Sequence, residues 1–290
     1  EAKSWSYTAV FKANIKDRLE LITADVTTTY DGKAHAAGTA TVAGNDVDGI
    51  KIEYQKADGS WTTNPSEITA TNVSDTKTVN VRVTSEKYNG ELTGTEELTI
   101  TKRKVTLISG SASKEYDGTE LTKPEVTVSG DGFVDGEVEG IKATGTITNV
   151  GGPVANPIEY KGVEGKFNAD NYKIQKQEGT LTITKAGSLG LTVKGAERKY
   201  NGKPLSAEKV EVSVTKGTTI SYSTDDGKTW KAEAPSITNA GTLNVKVKAE
   251  NPNYETVTEA YELKVTKRKV TLISGSASKE YDGTELTKPE

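Results

Sequence analysis

The sequence predicts an all-β chain, a tandem array of small two-sheet β-sandwich modules, and three observations carry the prediction. Short runs of alternating apolar and polar residues lie between Gly, Asn and Asp turns. No segment places apolar residues at i, i+3, i+4 and i+7 over three turns, and β-branched residues dominate, so almost no helix is expected. A Tyr-Asx-Gly turn recurs at Tyr30, Tyr116, Tyr200 and Tyr281, at spacings of 86, 84 and 81 residues. A fixed period of this kind marks a repeat architecture.

The modules follow from those turns in chain order. Lys16, Lys102 and Lys267 each stand fourteen residues before a motif tyrosine; Lys185 stands one residue further from Tyr200 and leads into the softer Ala186-Gly187-Ser188. The expected boundaries therefore give residues 1–17 as the closing strand of an incomplete preceding module, 18–102 as a type A module, 103–186 as type B, 187–267 as a second type A, and 268–290 as the opening of an incomplete type B. In the first segment Trp5, Tyr7, Ala9, Phe11, Ala13 and Ile15 alternate with mostly polar neighbours, the period of a strand buried on one face. Thr101–Glu125 is identical to Thr266–Glu290, 25 residues at an offset of 165, which implies duplication of a two-module unit. As isolated strands, both end segments are expected to fray or to pair with something else.

The two A segments share an Asp-Gly hairpin ending in tryptophan, Asp58-Gly59-Ser60-Trp61 and Asp226-Gly227-Lys228-Thr229-Trp230, preceded by Tyr54 and Tyr222. Asp-Gly suits a hairpin because glycine takes positive φ without steric cost. In the third segment Val210–Val214, Ile220–Ser223, Leu243–Val247 and Tyr261–Val265 read as its strands. Trp61 and Trp230 are expected in the core with their tyrosines, by the usual burial of large aromatics. The competing reading is an exposed platform that stacks sugars.

Composition narrows the function. Hydrophobic residues make up 33% of 290 and aromatics 6%, while Lys plus Arg (37) nearly balance Asp plus Glu (41) for a net charge of −4. Interleaved charge of this kind solubilises and supplies no basic face for nucleic acid. The chain has no Cys or Met, which removes disulfides, thiol nucleophiles and Cys-ligated zinc. No stretch reaches the roughly 20 apolar residues of a membrane span, and the first residues do not read as a leader peptide.

The pattern Tyr-Asx-Gly-Lys, the hairpin to Trp, Ile237–Thr242 and Asn251-Pro252-Asn253-Tyr254-Glu255 resembles the tandem Ig-like repeats of large Gram-positive cell-surface adhesins. The B segment, with Lys114–Gly118, Asn149-Val150-Gly151 and Asn171-Tyr172, is similar to the mostly-β, glycine-rich repeat called MBG. The resemblance implies immunoglobulin-like modules in an elongated array, placed outside the cell and wall-attached through other parts of a parent chain, acting as a stalk for an adhesive tip.

No catalytic, cofactor-binding or metal site is assigned and no enzyme is expected. His35, the sole histidine, has no counterpart in the other modules and reads as a surface residue. Calcium is the one cofactor left open, through Asp46 and Asp48, Asp131 and Asp135, or Asp225 and Asp226, although Asp-Gly clusters are mainly turn chemistry. An intramolecular Lys-Asn isopeptide bond needs a buried Lys, Asn and acid together, which sequence does not place. Lys102-Arg103-Lys104, repeated as Lys267-Arg268-Lys269, reads as a solvated linker, with contact to anionic polymers as the alternative. Three functions compete: a stiff spacer whose partners are neighbouring modules; a module that binds glycan or host protein; and a filament subunit pairing through its terminal strands.

Overall fold

The computed structural model describes residues 12–287. It is all-β: among the described residues the only helical elements are four three-residue 3-10 turns. The chain divides into two compact units, one of Glu1–Ala112, Leu121–Ile147 and Pro153–Leu181, the other of Ser113–Glu120, Thr148–Gly152 and Thr182–Glu290.

In the first unit, a five-stranded sheet runs in the order Val26–Thr29, Leu92–Thr101, Lys77–Ser85, Ile50–Gln55, Trp61–Thr62. Against it lie two short antiparallel pairs, Leu19–Ile22 with Thr41–Gly44 and His35–Ala36 with Thr69–Ala70. The chain changes sheets between Ile22 and Val26, so that Val26–Thr29 pairs parallel to the last strand while the others are antiparallel. The crossing is tight: a Cβ at Gly38 would stand 1.8 Å from the Ala24 carbonyl oxygen, so no side chain fits there.

Alternation decides the core. Tyr54, Val79, Val81, Leu98 and Ile100 point between the sheets and are at most 2% exposed. The same buried cluster continues past Lys102, the single residue between Leu92–Thr101 and Arg103–Ser109, into Val105, Leu107, Ile158 and Tyr172. Arg103–Ser109 pairs antiparallel with Val126–Gly130 and parallel with Tyr172–Gln177. A smaller cluster joins Ile15, Leu19 and Val83. Ile15 was expected on a strand; it sits instead in the 3-10 turn Ile15–Asp17, capped by Asn14 and bonded through its N–H to the Asn89 carbonyl, and is fully buried. Trp5, Tyr7, Ala9 and Phe11 of that expected strand lie outside the described residues.

In the second unit the main sheet runs Ala196–Lys199, Val257–Thr266, Gly241–Glu250, Thr219–Ser223, again with a parallel first pairing. Leu191–Lys194 pairs with Lys209–Val212 opposite it. Its core is Val245, Val247, Tyr261 and Leu263. Asp226 and Gly227 both adopt positive φ, 61° and 91°, within the eight-residue loop that joins the paired Tyr222 and Lys231. Residues 267–287 form no strand, and Val270, Leu272 and Ile273 are 74%, 92% and 88% exposed.

Candidate functional site

The tyrosines that mark each module do more than turn the chain. Three of the four donate a backbone N–H to a threonine carbonyl: Tyr30 to Thr101 O at 3.0 Å, Tyr116 to Thr184 O at 2.9 Å and Tyr200 to Thr266 O at 2.9 Å. The rings of Tyr30 and Tyr116 are thereby held beside the segment that follows, one residue away across Lys102 or Lys185.

In the first unit Tyr30 meets Tyr172 edge to face, with centroids 5.5 Å apart and planes at 79°. Beside them Asn171, fully buried, accepts from Val73 N at 2.9 Å and donates to Asn72 Oδ1 at 2.8 Å. In the second unit the arrangement repeats. Tyr116 meets Tyr254 at 5.6 Å and 79°, while Asn253 accepts from Val150 N at 2.9 Å and donates to Asn149 Oδ1 at 3.2 Å. Two joints thus use one scheme: a Tyr and an Asn-Val pair on one side, and an Asn-Tyr pair on the other.

The strand register explains why Asn-Tyr lands there. Arg103 pairs in parallel with Tyr172 and Ala186 with Tyr254, so the first strand after each one-residue linker carries the Asn-Tyr turn to the joint. The first joint has an addition. Glu137, 6% exposed, accepts from the Tyr30 hydroxyl through Oε1 and the Tyr172 hydroxyl through Oε2, both at 2.6 Å. Burial, then the bond and charge of Glu137, push Tyr30 up to about 12 and raise Tyr172 still further from the ordinary tyrosine range. Arg103 closes the edge, donating to the carbonyls of Tyr30, Gly132 and Asp131. The linker triplet is therefore only partly solvated: Lys102 and Lys104 are exposed while Arg103 is half-buried and occupied. The motifs of this joint were visible in the sequence as module markers; Glu137 carried no signal at all.

The other candidates go elsewhere. His35 Nε2 lies 2.8 Å from Asp31 Oδ1, and the bond from His35, then that from the Lys33 N–H, hold the Asp31 carboxyl below its usual range. The pair serves the Tyr30 turn. Among the described residues no group of three or more His, Cys, Asp or Glu is placed to hold a metal. Asp46 pairs with Lys87 at 2.5 Å, Asp226 with Lys246 at 2.6 Å, Asp131 accepts from Lys104 N, and Asp225 accepts from Ser223 and Thr229. Among the described residues no lysine is buried.

Both tryptophans differ from expectation, being half-buried on an outer face. The hairpin register puts Thr62 opposite inward-facing Tyr54 and Trp61 opposite outward-facing Gln55, and a one-residue phase decides the face. Arg82, anchored to Glu53 at 2.9 Å, lies 4.2 Å over the Trp61 ring, and Lys248 lies 4.8 Å over Trp230. Trp61 borders an open groove of about 330 Å³ with Gln55, Asn80 and Thr95, but the guanidinium already covers one ring face, so the ring is no bare sugar platform. An open depression of about 550 Å³ on the third segment is lined by Asp225, Asp226, Lys246 and Tyr261, with Asp226 and Lys246 already paired to each other. No described helix is long and apolar enough to cross a membrane.

No protein-family model matches the chain, and no curated protein matches it. Similar solved structures include the titin I-band fragment I67–I69, 11% identical over 87% of this chain and 99% of that one, with a TM-score of 0.32. The protocadherin gammaB4 extracellular domain is 9% identical over 89% of this chain and 52% of that one, with a TM-score of 0.35. Drosophila N-cadherin EC1-3 is 8% identical over 85% and 99%, with a TM-score of 0.24. The likeness is to tandem Ig-like and cadherin domains, and it concerns the fold alone.

Proposed function

We propose that the chain is a non-enzymatic extracellular spacer, a length of bacterial surface stalk whose modules are locked end to end. The repeated joint supports this reading most directly. A one-residue linker leaves a module few backbone rotations, and a hydrogen-bonded Asn, buried at Asn171 and half-buried at Asn253, with an edge-to-face Tyr pair restricts those that remain. The continuous core from Leu98 to Leu107 adds apolar cohesion across Lys102. Surface side chains are interleaved Lys and Glu or Asp pairs, most of them exposed, which suits solubility rather than recognition.

The absence of native cysteine makes the test clean. Spin labels at Cys introduced for exposed Ser60 and Lys161 report across the first joint. A single narrow distance distribution is expected, broadening in N171A. A broad distribution in the parent chain overturns the spacer reading.

A further inference from the structure

We propose that the exposed end of the third segment, Tyr200 with Asn239 and the Ala240 N–H, is the acceptor half of a further joint. Its occupant is the Asn-Tyr turn of another type B module. The inference rests on reading the two formed joints as fixed, and adds a surface and its partner.

The acceptor parts recur in order. Tyr30 and Thr71-Asn72-Val73 receive Asn171-Tyr172; Tyr116 and Thr148-Asn149-Val150 receive Asn253-Tyr254. The third set is Tyr200 with Thr238-Asn239-Ala240, and its tyrosine is held to Thr266 as the others are to Thr101 and Thr184. What differs is occupancy. Tyr30 is 4% exposed in its joint, whereas Tyr200 is 41% exposed. Asn239 is exposed as well, and its side chain has no hydrogen-bond partner among the described residues. Leu205 exchanges backbone bonds with Ile237, which joins the segment after Tyr200 to the one before Asn239, so that a tyrosine, a free amide and a backbone N–H carried on these two segments offer groups matched to a second amide and ring.

The occupant's type is written in the next residues. Thr266–Glu290 repeats Thr101–Glu125, the stretch that in the first unit starts the strand pairing Arg103 with Tyr172. A module grown on that stretch carries its Asn-Tyr turn to Tyr200 in the register that brings Tyr172 to Tyr30. It also brings Arg268 to the Tyr200 carbonyl as Arg103 is brought to that of Tyr30. A glycan or an unrelated protein has no such register to offer.

The experiment appends a copy of residues 126–186 after Glu290 of the whole chain, completing a second type B module from the chain's own sequence. Amide exchange is read at two positions. The Ala240 N–H is expected to slow about tenfold or more on extension, and to return to its original rate when the appended counterpart of Asn171 is changed to Ala. An unchanged Ala240 amide beside protected strand amides in the appended module overturns the proposal, as does an extension that does not order. In the unextended chain, N253A reports on the existing joint through the Val150 N–H. Faster exchange there upholds the fixed-joint reading even if the Ala240 result is negative, so the two failures are distinguishable.

Discussion

Changing Tyr30 to Phe removes one of two hydroxyls from a carboxylate with little other contact to water. Glu137 is 6% exposed, and each of its oxygens accepts a 2.6 Å bond from a tyrosine. Hydrogen bonds to a charged group contribute about 1.5–3 kcal/mol, and the partner left behind in a buried site keeps its desolvation cost. Y30F fills the same space, so no cavity term enters, and the expected loss is about 2 kcal/mol. For a cooperative unit of this size that corresponds to a fall of roughly 4–8 °C in Tm. Calorimetry of the whole chain, with urea unfolding as a second measure, reads it. Y172F should cost a similar amount, and the double variant clearly less than the sum, because both hydroxyls serve one carboxylate. A Y30F loss below about 0.5 kcal/mol, or strict additivity in the cycle, refutes the view that Glu137 clamps the joint.

Other outcomes follow from the same packing. Glu96 is 1% exposed with one carboxylate oxygen unpartnered, and burial raises its affinity for a proton. Folding then binds a proton that the unfolded chain releases, so stability falls as pH rises from about 4.5 through the folded value. E96Q should flatten that slope and raise Tm at pH 7, as urea titrations at pH 4.5 and 7 would register; a steeper slope in E96Q contradicts it. Above pH 10 the raised pKa of Tyr30 predicts progressive loss of the first joint, complete past about 12, visible as alkaline unfolding that Y30F shifts. G38A should cost about 3 kcal/mol or more from its clash with Ala24, while G59A, at φ +83 in open space, should cost about 1 kcal/mol from backbone strain alone. L107D should destabilise by several kcal/mol, L272D not measurably, although the flanking residues are identical.

That last pair separates what is local from what is not. The Asx turn forms in every copy of the motif: Asp31, Asp117, Asn201 and Asp282 each accept from the backbone N–H two residues on, at 2.9, 2.8, 3.1 and 3.0 Å. It needs only its own side chain, so four residues encode it and the repeat was legible from sequence. All-β class and core alternation were legible for the same reason, since period 2 reports which face is buried. The strand was not. Val105 and Leu107 are 1% and 0% exposed between Val126–Gly130 and Tyr172–Gln177, whereas the same residues at Val270 and Leu272 stand in solvent without a partner. Identical sequence has two fates because a strand's backbone groups are satisfied only by other strands. Trp61 repeats the lesson, since hairpin register, not hydrophobicity, put it on the outer face. So does the joint: Tyr30 meets Glu137 across 107 residues, a proximity that no local pattern contains. By itself the sequence determined the turns, the period and the alternation of the strands; tertiary pairing decided which strands exist and which distant side chains meet Tyr30 and Tyr116.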